Sequence, residues 1–419
     1  MSSWLINGGN RLNGTVHIHG AKNSALPILA ATLLVPDYCE IDNCPALSDV
    51  DAAMDILRHL GCRVGRKEHT VSVDATVLSG ADIPDTLMRE MRSSIVFLGA
   101  MVARLGEAEL SFPGGCELGP RPIDLHLSAL RRMGLQIKEE GGRLRCRVER
   151  QMTGCPISLA FPSVGATENI ILAAVTAKGT TTIFNAAKEP EIQDLCRFLN
   201  ACGARIAGAG ESTVVIEGVK QLTGCRHTVI PDRIETVTYA AAAAITGGSL
   251  LLKNIQVEPL QACVPILEEM GCQTTAWKKE WLVTAPPRLR RVRSVRTLPF
   301  PGFPTDAQAL IMATACVAKG TSVFIETIFE SRYKHVGELM RMGANIKAEG
   351  RVAVVEGVPQ LSGAPVECTD LRGGAALVLA ALAAQGTTEI SQLQHIERGY
   401  EAFAEELQQV GADIKTVAR

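Results

Sequence analysis

Aromatic side chains are scarce in this 419-residue chain: 10 Phe, 4 Tyr and 3 Trp make up only 4% of it. A core must therefore be filled mainly by Ala, Val, Leu and Ile, and small residues let helices approach one another closely. A charge excess of one sign is also missing, with 42 basic against 44 acidic residues and a formal net charge of −2. That excludes a nucleic-acid binder carried by bulk electrostatics; any anion site has to be a local concentration of Lys and Arg. No apolar run approaches a bilayer span, and even the most apolar, such as residues 240–245, fall far short. The opening Met1-Ser2-Ser3-Trp4 shows no basic region followed by an apolar core, so a soluble, cytoplasmic protein with no membrane partner is expected. The 13 cysteines show no CxxC spacing and the 8 histidines no HExxH or other ligand pairing. Neither a disulfide framework nor a zinc site is expected, and no metal is assigned. Walker loops, a GxGxxG unit after a strand and a GxSxG elbow are absent too, which removes support for nucleotide-hydrolase, dinucleotide-binding and serine-hydrolase readings.

What is present is length and a repeat. A chain of 419 residues exceeds one core of ordinary size and predicts two domains. One pattern, an amphipathic stretch closed by a glycine and a short strand, recurs six times, at Gly61, Gly134, Gly203, Gly271, Gly343 and Gly411, about 70 residues apart. Each copy reads in the same order. A helix apolar nearly all round comes first, as in residues 170–175, 309–317 and 375–384, the signature of a buried helix. Gly106, Gly179, Gly248, Gly320 and Gly386 follow it as expected left-handed caps, and Pro36 stops the first copy. A β-rich run, an amphipathic helix such as that carrying Ile192, Leu195, Phe198 and Leu199, and two short strands complete the unit. Three units can wrap three buried helices in a shell of sheets and outer helices. Six give two similar domains, with a cleft between them as the natural ligand site.

Charge concentrates at equivalent places in these units. Lys22-Asn23, Arg92, Ser163-Val164-Gly165, Arg233, Asp306 and Arg372 fall at the starts of the buried helices, and Arg121, Arg332 and Arg398 on loops entering the outer ones. Helix N-termini favour anions, and guanidinium forks recognise phosphate and carboxylate. Such an array suits a small, highly anionic ligand, although surface charges are commonly no more than solvation. Asp306 is either a helix cap or a base facing a substrate hydroxyl. The connection over residues 112–122 differs from its five counterparts: Pro113, Gly114, Gly115, Gly119, Pro120 and Pro122 make a flexible flap with stiff ends around Cys116. A cysteine there, near Arg121, can act as acid or nucleophile; most loop cysteines do neither.

The segments Gly20-Ala21-Lys22-Asn23, Met91-Arg92-Ser93-Ser94, Pro113-Gly114-Gly115-Cys116, residues 121–126, 162–167 and 231–236, Phe303-Pro304-Thr305-Asp306, Thr369-Asp370-Leu371-Arg372 and residues 395–400 together resemble the UDP-N-acetylglucosamine 1-carboxyvinyltransferase family, the enolpyruvyl transferases that open peptidoglycan synthesis. The resemblance implies a two-domain inside-out α/β barrel built from six βαβαββ-type units, three per domain. Residues 22–229 would form one domain, carrying the Cys116 flap. Residues 1–21 with 230–419 would form the other, carrying Asp306, Arg332, Arg372 and Arg398. It also implies a monomer using phosphoenolpyruvate and UDP-N-acetylglucosamine, with neither metal nor organic cofactor. Lys22, Asn23, Arg121, Arg332, Arg372 and Arg398 would hold phosphoenolpyruvate. Arg92, Arg121, Pro122, Ile123, Asp124, Leu125, Ser163, Val164, Gly165, Asp306 and Ile328 would hold the UDP-sugar. Cys116 would deliver a proton to the methylene and Asp306 accept one from the sugar hydroxyl, with Lys22 and Arg398 completing the catalytic set. In that family the flap cysteine also reacts with epoxide inhibitors such as fosfomycin. Phe161, Val237, Ser331, Lys334 and Gly373 depart from residues common there. The rival readings are a 3-phosphoshikimate 1-carboxyvinyltransferase, which lacks the cysteine flap and begins differently, and a non-catalytic UDP-sugar-binding paralogue; a bare scaffold would need no cationic cleft.

Overall fold

The computed structural model describes residues 2–91, 93–111 and 123–418. These fold into two compact units: residues 20–230, and residues 2–19 with 231–418. Each has a hydrophobic core of its own.

Six four-stranded sheets, three per unit, follow one plan among the described residues. In residues 156–217 the order is strand Pro156–Ser158, helix Val164–Ala174, strand Thr180–Phe184, helix Pro190–Ala201, and strands Arg205–Ala207 and Thr213–Glu217. The first two strands pair in parallel, with Ile157 beside Ile183, so they need a crossover, and the helix between them supplies it. The last two strands add antiparallel. This is the expected βαβαββ unit. Its buried helix reads apolar all round because nearly every residue from Ala166 to Ala174 is enclosed. The outer helix buries Ile192, Leu195, Phe198 and Leu199 on one side.

Each unit is closed by strands distant in sequence. Arg226–Thr228 pairs in parallel with Tyr38–Asp42 to complete the first sheet. In the other unit Asn13–His17 joins Ser249–Lys253, and Ser2–Asn7 lies between Thr387–Ser391 and Asp413–Ala418. The buried helices Arg233–Thr246, Thr305–Ala315 and Leu371–Ala383 pack against one another. Their contact is built largely from alanine, residues 240–244 being almost wholly enclosed. Small side chains permit three apolar helices at one centre without aromatic filler.

The six repeat glycines share one job. Gly61, Gly134, Gly203, Gly271, Gly343 and Gly411 have φ of 101°, 102°, 98°, 99°, 88° and 111°, backbone that a side chain resists. In five copies the amide of the next residue reaches back five positions, as from Cys62 to the Leu57 carbonyl, and the glycine amide reaches back three. That double bond is the Schellman stop. The glycines after the buried helices behave differently from expectation. Gly106, at φ 76°, does cap its helix, but in the fourth copy the left-handed cap is Gly247, at φ 69°, and not Gly248. Gly179, Gly320 and Gly386 are left-handed but stand directly before the strands at Thr180, Thr321 and Thr387, after the helix has already ended. They turn the chain into the sheet.

Candidate active site

In the unit of residues 2–19 and 231–418, Asp306 stands between two enclosed guanidinium groups. It is the second residue of helix Thr305–Ala315, whose N-cap position is Pro304, so the capping role is not the one it plays. Its Oδ1 accepts from Arg332 Nη2 at 2.8 Å and its Oδ2 from Arg372 Nε and Nη2, both at 3.3 Å. The side chains of Arg332 and Arg372 are 4% and 3% exposed, against 28% for Asp306. The carboxylate is the accessible member of the trio. Arg372 also lies over the Tyr400 ring, 5.3 Å from its centroid, and Arg332 over Phe329 at 5.6 Å. Burial works against the charge on Arg372, but Tyr400, Asp306 and Asp232 outweigh it and hold its pKa above the ordinary arginine value. Its Nη1 is enclosed without a hydrogen-bond partner. Asp370, the N-cap of helix Leu371–Ala383, accepts from the amides of Arg372 and Gly373 and fixes where Arg372 starts. A Cβ on Gly373 would lie 2.8 Å from Asp370 Oδ2 and 3.0 Å from His335 Cβ, so glycine at this position makes room for the cap. Arg398 is half-buried after helix Gln394–Glu397, and its neighbour Gly399 abuts Leu371.

A residue the sequence did not single out organises this corner. Glu326, 1% exposed, accepts from Thr297 Oγ1 at 2.9 Å, Thr305 Oγ1 at 2.9 Å, the Ile328 amide at 2.8 Å and the Phe329 amide at 3.1 Å. It ties Ile328 and the segment leading to Arg332 to the helix start that bears Asp306. Glu326 carried no motif signal; only the fold gathers four donors around it. His335, fully enclosed, is pushed down to about 4 by burial, with Arg332 adding to the effect and Asp370 opposing it.

In the unit of residues 20–230, Lys22 opens helix Lys22–Thr32 and pairs through Nζ with Asp49 Oδ2 at 3.0 Å, both side chains largely enclosed. Asn23 beside it is exposed. Ser163 caps helix Val164–Ala174, accepting from the Ala166 amide at 3.3 Å. Gly165 lies against His126, where a Cβ would sit 3.0 Å from the ring. Ile123, Asp124 and Leu125, at the start of helix Asp124–Arg132, are thereby brought to Ser163, Val164 and Gly165. The link is polar as well: Asn169 Nδ2 meets His126 Nδ1 at 3.0 Å, and its Oδ1 accepts from the Gly99 amide at 2.7 Å. Burial holds His126 neutral, pushed down to about 4. The starts of these two helices therefore lie close together, and helix N-termini favour anions. Phe161 is 42% exposed nearby in sequence, Val237 is enclosed in its helix, and Ser331 and Lys334 are exposed. Arg92, Cys116, Arg121 and Pro122 lie outside the described residues.

Among the described residues one group could hold a metal ion, His19, Glu235 and Glu406. Its members already have partners: His19 pairs through Nδ1 with Glu235 at 2.9 Å and through Nε2 with Glu406 at 3.6 Å, and Glu406 also accepts from Tyr239 OH at 2.7 Å. A cavity of about 550 Å³ in the unit of residues 20–230 is lined by Leu34, Val102, Gly106 and Thr176. Those residues mark the C-terminal ends of its buried helices, opposite Lys22 and Ser163.

The EPSP synthase (3-phosphoshikimate 1-carboxyvinyltransferase) family matches residues 6–407. A protein of Caldanaerobacter subterraneus subsp. tengcongensis, UDP-N-acetylglucosamine 1-carboxyvinyltransferase 2, is 52% identical across 99% of both chains. UDP-N-acetylglucosamine 1-carboxyvinyltransferase 1 of Symbiobacterium thermophilum is 50% identical over 99% of this chain and 95% of its own. Among solved structures, the enolpyruvyl transferase NikO of Streptomyces tendae superposes with a TM-score of 0.91 at 27% identity, covering 100% of this chain and 99% of that one. EPSP synthase of Acinetobacter baumannii does so at 0.79 and 19% identity, with 100% of each covered, a likeness of fold alone.

Proposed function

Because the chain belongs to the UDP-N-acetylglucosamine 1-carboxyvinyltransferases within the EPSP synthase family, we propose that it moves the enolpyruvyl group of phosphoenolpyruvate onto the 3-hydroxyl of UDP-N-acetylglucosamine, releasing phosphate. The observation that carries this reading is identity of about half the residues over nearly the whole length with proteins bearing that name. The product opens peptidoglycan synthesis. The 3-phosphoshikimate reading has less behind it, since the solved EPSP synthase shares 19% identity.

The enol carbon of phosphoenolpyruvate is a weak electrophile until its methylene is protonated, so the reaction needs an acid there and a base at the sugar hydroxyl. Cys116 supplies the proton. Asp306 takes the hydroxyl proton: its half-buried carboxylate is the most accessible member of a cluster whose other two members are enclosed cations. The sugar oxygen bonds to C2, the methylene becomes a methyl, and a tetrahedral ketal forms. Loss of a proton from that methyl with cleavage of the C–O bond to phosphate restores the double bond. Lys22, Asn23, Arg121, Arg332, Arg372 and Arg398 hold the phosphate and carboxylate and compensate charge through the ketal. Arg92, residues 121–125, residues 163–165, Asp306 and Ile328 receive the UDP-sugar, its diphosphate favoured by the helix starts at Asp124 and Val164.

No described helix is long and apolar enough to cross a membrane, and we read the protein as a cytoplasmic monomer. Replacing Cys116 by serine tests the acid: turnover is expected to fall by two or more orders of magnitude and epoxide labelling of the residue 116 peptide to vanish, because serine is a poor proton donor at neutral pH. Unchanged kinetics in the serine variant would remove Cys116 from the mechanism.

A further inference from the structure

Three free thiols stand in a row in the unit of residues 20–230, and none belongs to the proposed transferase machinery. Cys39 lies in strand Tyr38–Asp42, Cys202 at the end of helix Pro190–Ala201, and Cys225 directly before strand Arg226–Thr228. The Sγ atoms of Cys202 and Cys225 are 3.3 Å apart, and the Cys39 thiol is near enough to Cys202 to influence its titration. Isolated buried cysteines act as small apolar side chains, as Cys316 does, its thiol pushed up to about 12 by burial. That role does not require three sulfurs from three separate elements to converge.

We propose that Cys202 and Cys225 are an oxidisable pair, a modification site at which a peroxide converts two thiols into one disulfide. A disulfide needs its sulfurs at about 2.05 Å, so roughly 1.3 Å must be closed, within the reach of small χ rotations. The two backbones are already tied to what surrounds them. Thr223 donates through its amide at 2.9 Å and its hydroxyl at 3.3 Å to the Cys202 carbonyl. Glu40 donates its amide to the Cys225 carbonyl at 3.0 Å. Access separates the roles, because Cys39 and Cys202 are buried while Cys225 is half-buried. Chemistry agrees: the hydrogen bond from Cys202, with His227 adding to it, draws the Cys225 thiol down to about 7, where a thiolate is available.

Cys225 attacks a peroxide oxygen. The O–O bond breaks, one oxygen leaves as water after taking a proton, and Cys225 becomes a sulfenic acid. The Cys202 sulfur then attacks the Cys225 sulfur. The S–O bond breaks, a second water leaves, and the two electrons given up by the sulfurs have reduced the peroxide. The bond fastens the end of an outer helix to the strand that closes the first sheet. That strand is the one in which His227 meets the buried Asp194 at 3.1 Å, a carboxylate also bonded by Ser24 and the Ile230 amide.

The full-length protein treated with hydrogen peroxide, alkylated and digested with trypsin without reduction tests this. Peptides 198–205 and 221–226 are expected joined, two hydrogens lighter than their sum, and separated again by dithiothreitol. In Cys202→Ser the joined species is lost and Cys225 is captured as a sulfenic acid by dimedone. Equal alkylation of Cys202 and Cys225 before and after peroxide overturns the proposal, and so does a bridge from Cys202 to the peptide bearing Cys39. The wild-type measurement stands alone if that variant folds poorly.

Discussion

Changing Asp306 to asparagine keeps the shape of the side chain and removes its charge, leaving Arg332 and Arg372, at 4% and 3% exposure, to face each other with a neutral amide between them. Breaking one partner out of a buried ion pair costs about 3–5 kcal/mol, because the remaining charge has lost its compensation. Asp306 is 28% exposed and asparagine still offers an acceptor oxygen, which places the loss near the lower end, about 3 kcal/mol. For a unit of this size that lowers Tm by roughly 6–12 °C. Turnover should fall further than stability explains, by about 10²–10⁴-fold, the range for loss of a general base. Inorganic phosphate should restore more of the lost Tm in the variant than it adds to the unaltered protein, since an anion replaces the missing charge. Differential scanning calorimetry with and without phosphate, beside phosphate-release kinetics, reads all three. A fall in Tm with normal turnover would remove Asp306 as the base. An unchanged Tm would refute the claim that this carboxylate compensates two enclosed guanidinium groups.

The Schellman glycines separate backbone strain from crowding. Gly203→Ala meets open space at φ 98° and should cost about 1 kcal/mol from strain alone, whereas Gly61→Ala at φ 101° also places Cβ 2.6 Å from the Ser79 amide and should cost clearly more; equal losses in urea denaturation would contradict the distinction. His126 and His335, each pushed down to about 4, bind their proton more readily when the chain is unfolded. Stability should therefore be complete above pH 6.5 and decline as pH falls towards 4, by as much as about 3 kcal/mol for each group. His126→Gln should flatten part of that slope between pH 6.5 and 5, and a variant with the unaltered pH profile would count against a neutral, enclosed His126.

The repeat was readable because one physical need recurs: a left-handed residue after each outer helix admits glycine at little cost, so Gly61 and its five equivalents punctuate the chain. The buried helices were readable for a related reason, as alanine on every side has no other use than close packing. Boundaries were less so. Gly247 and Gly248 are indistinguishable by type, and only backbone geometry shows which one caps. Asp306 illustrates the limit more sharply. Its residue type beside a threonine does not show which groups it meets, and those groups, Arg332 and Arg372, are 26 and 66 residues away in sequence. Glu326, His126 and the Asp49 partner of Lys22 escaped notice because each acts through neighbours assembled by the fold, with no spacing of its own. The flap residues 112–122, the most distinctive stretch of sequence, lie outside the described residues.

The most direct measurement offers the purified protein phosphoenolpyruvate with either UDP-N-acetylglucosamine or shikimate 3-phosphate, and follows phosphate release together with the mass of the acceptor. Phosphate released only with the UDP-sugar, whose mass rises by one enolpyruvyl group, is the predicted result. Phosphate released only with shikimate 3-phosphate, or tight UDP-sugar binding with no turnover while a known transferase is active under the same conditions, would contradict it.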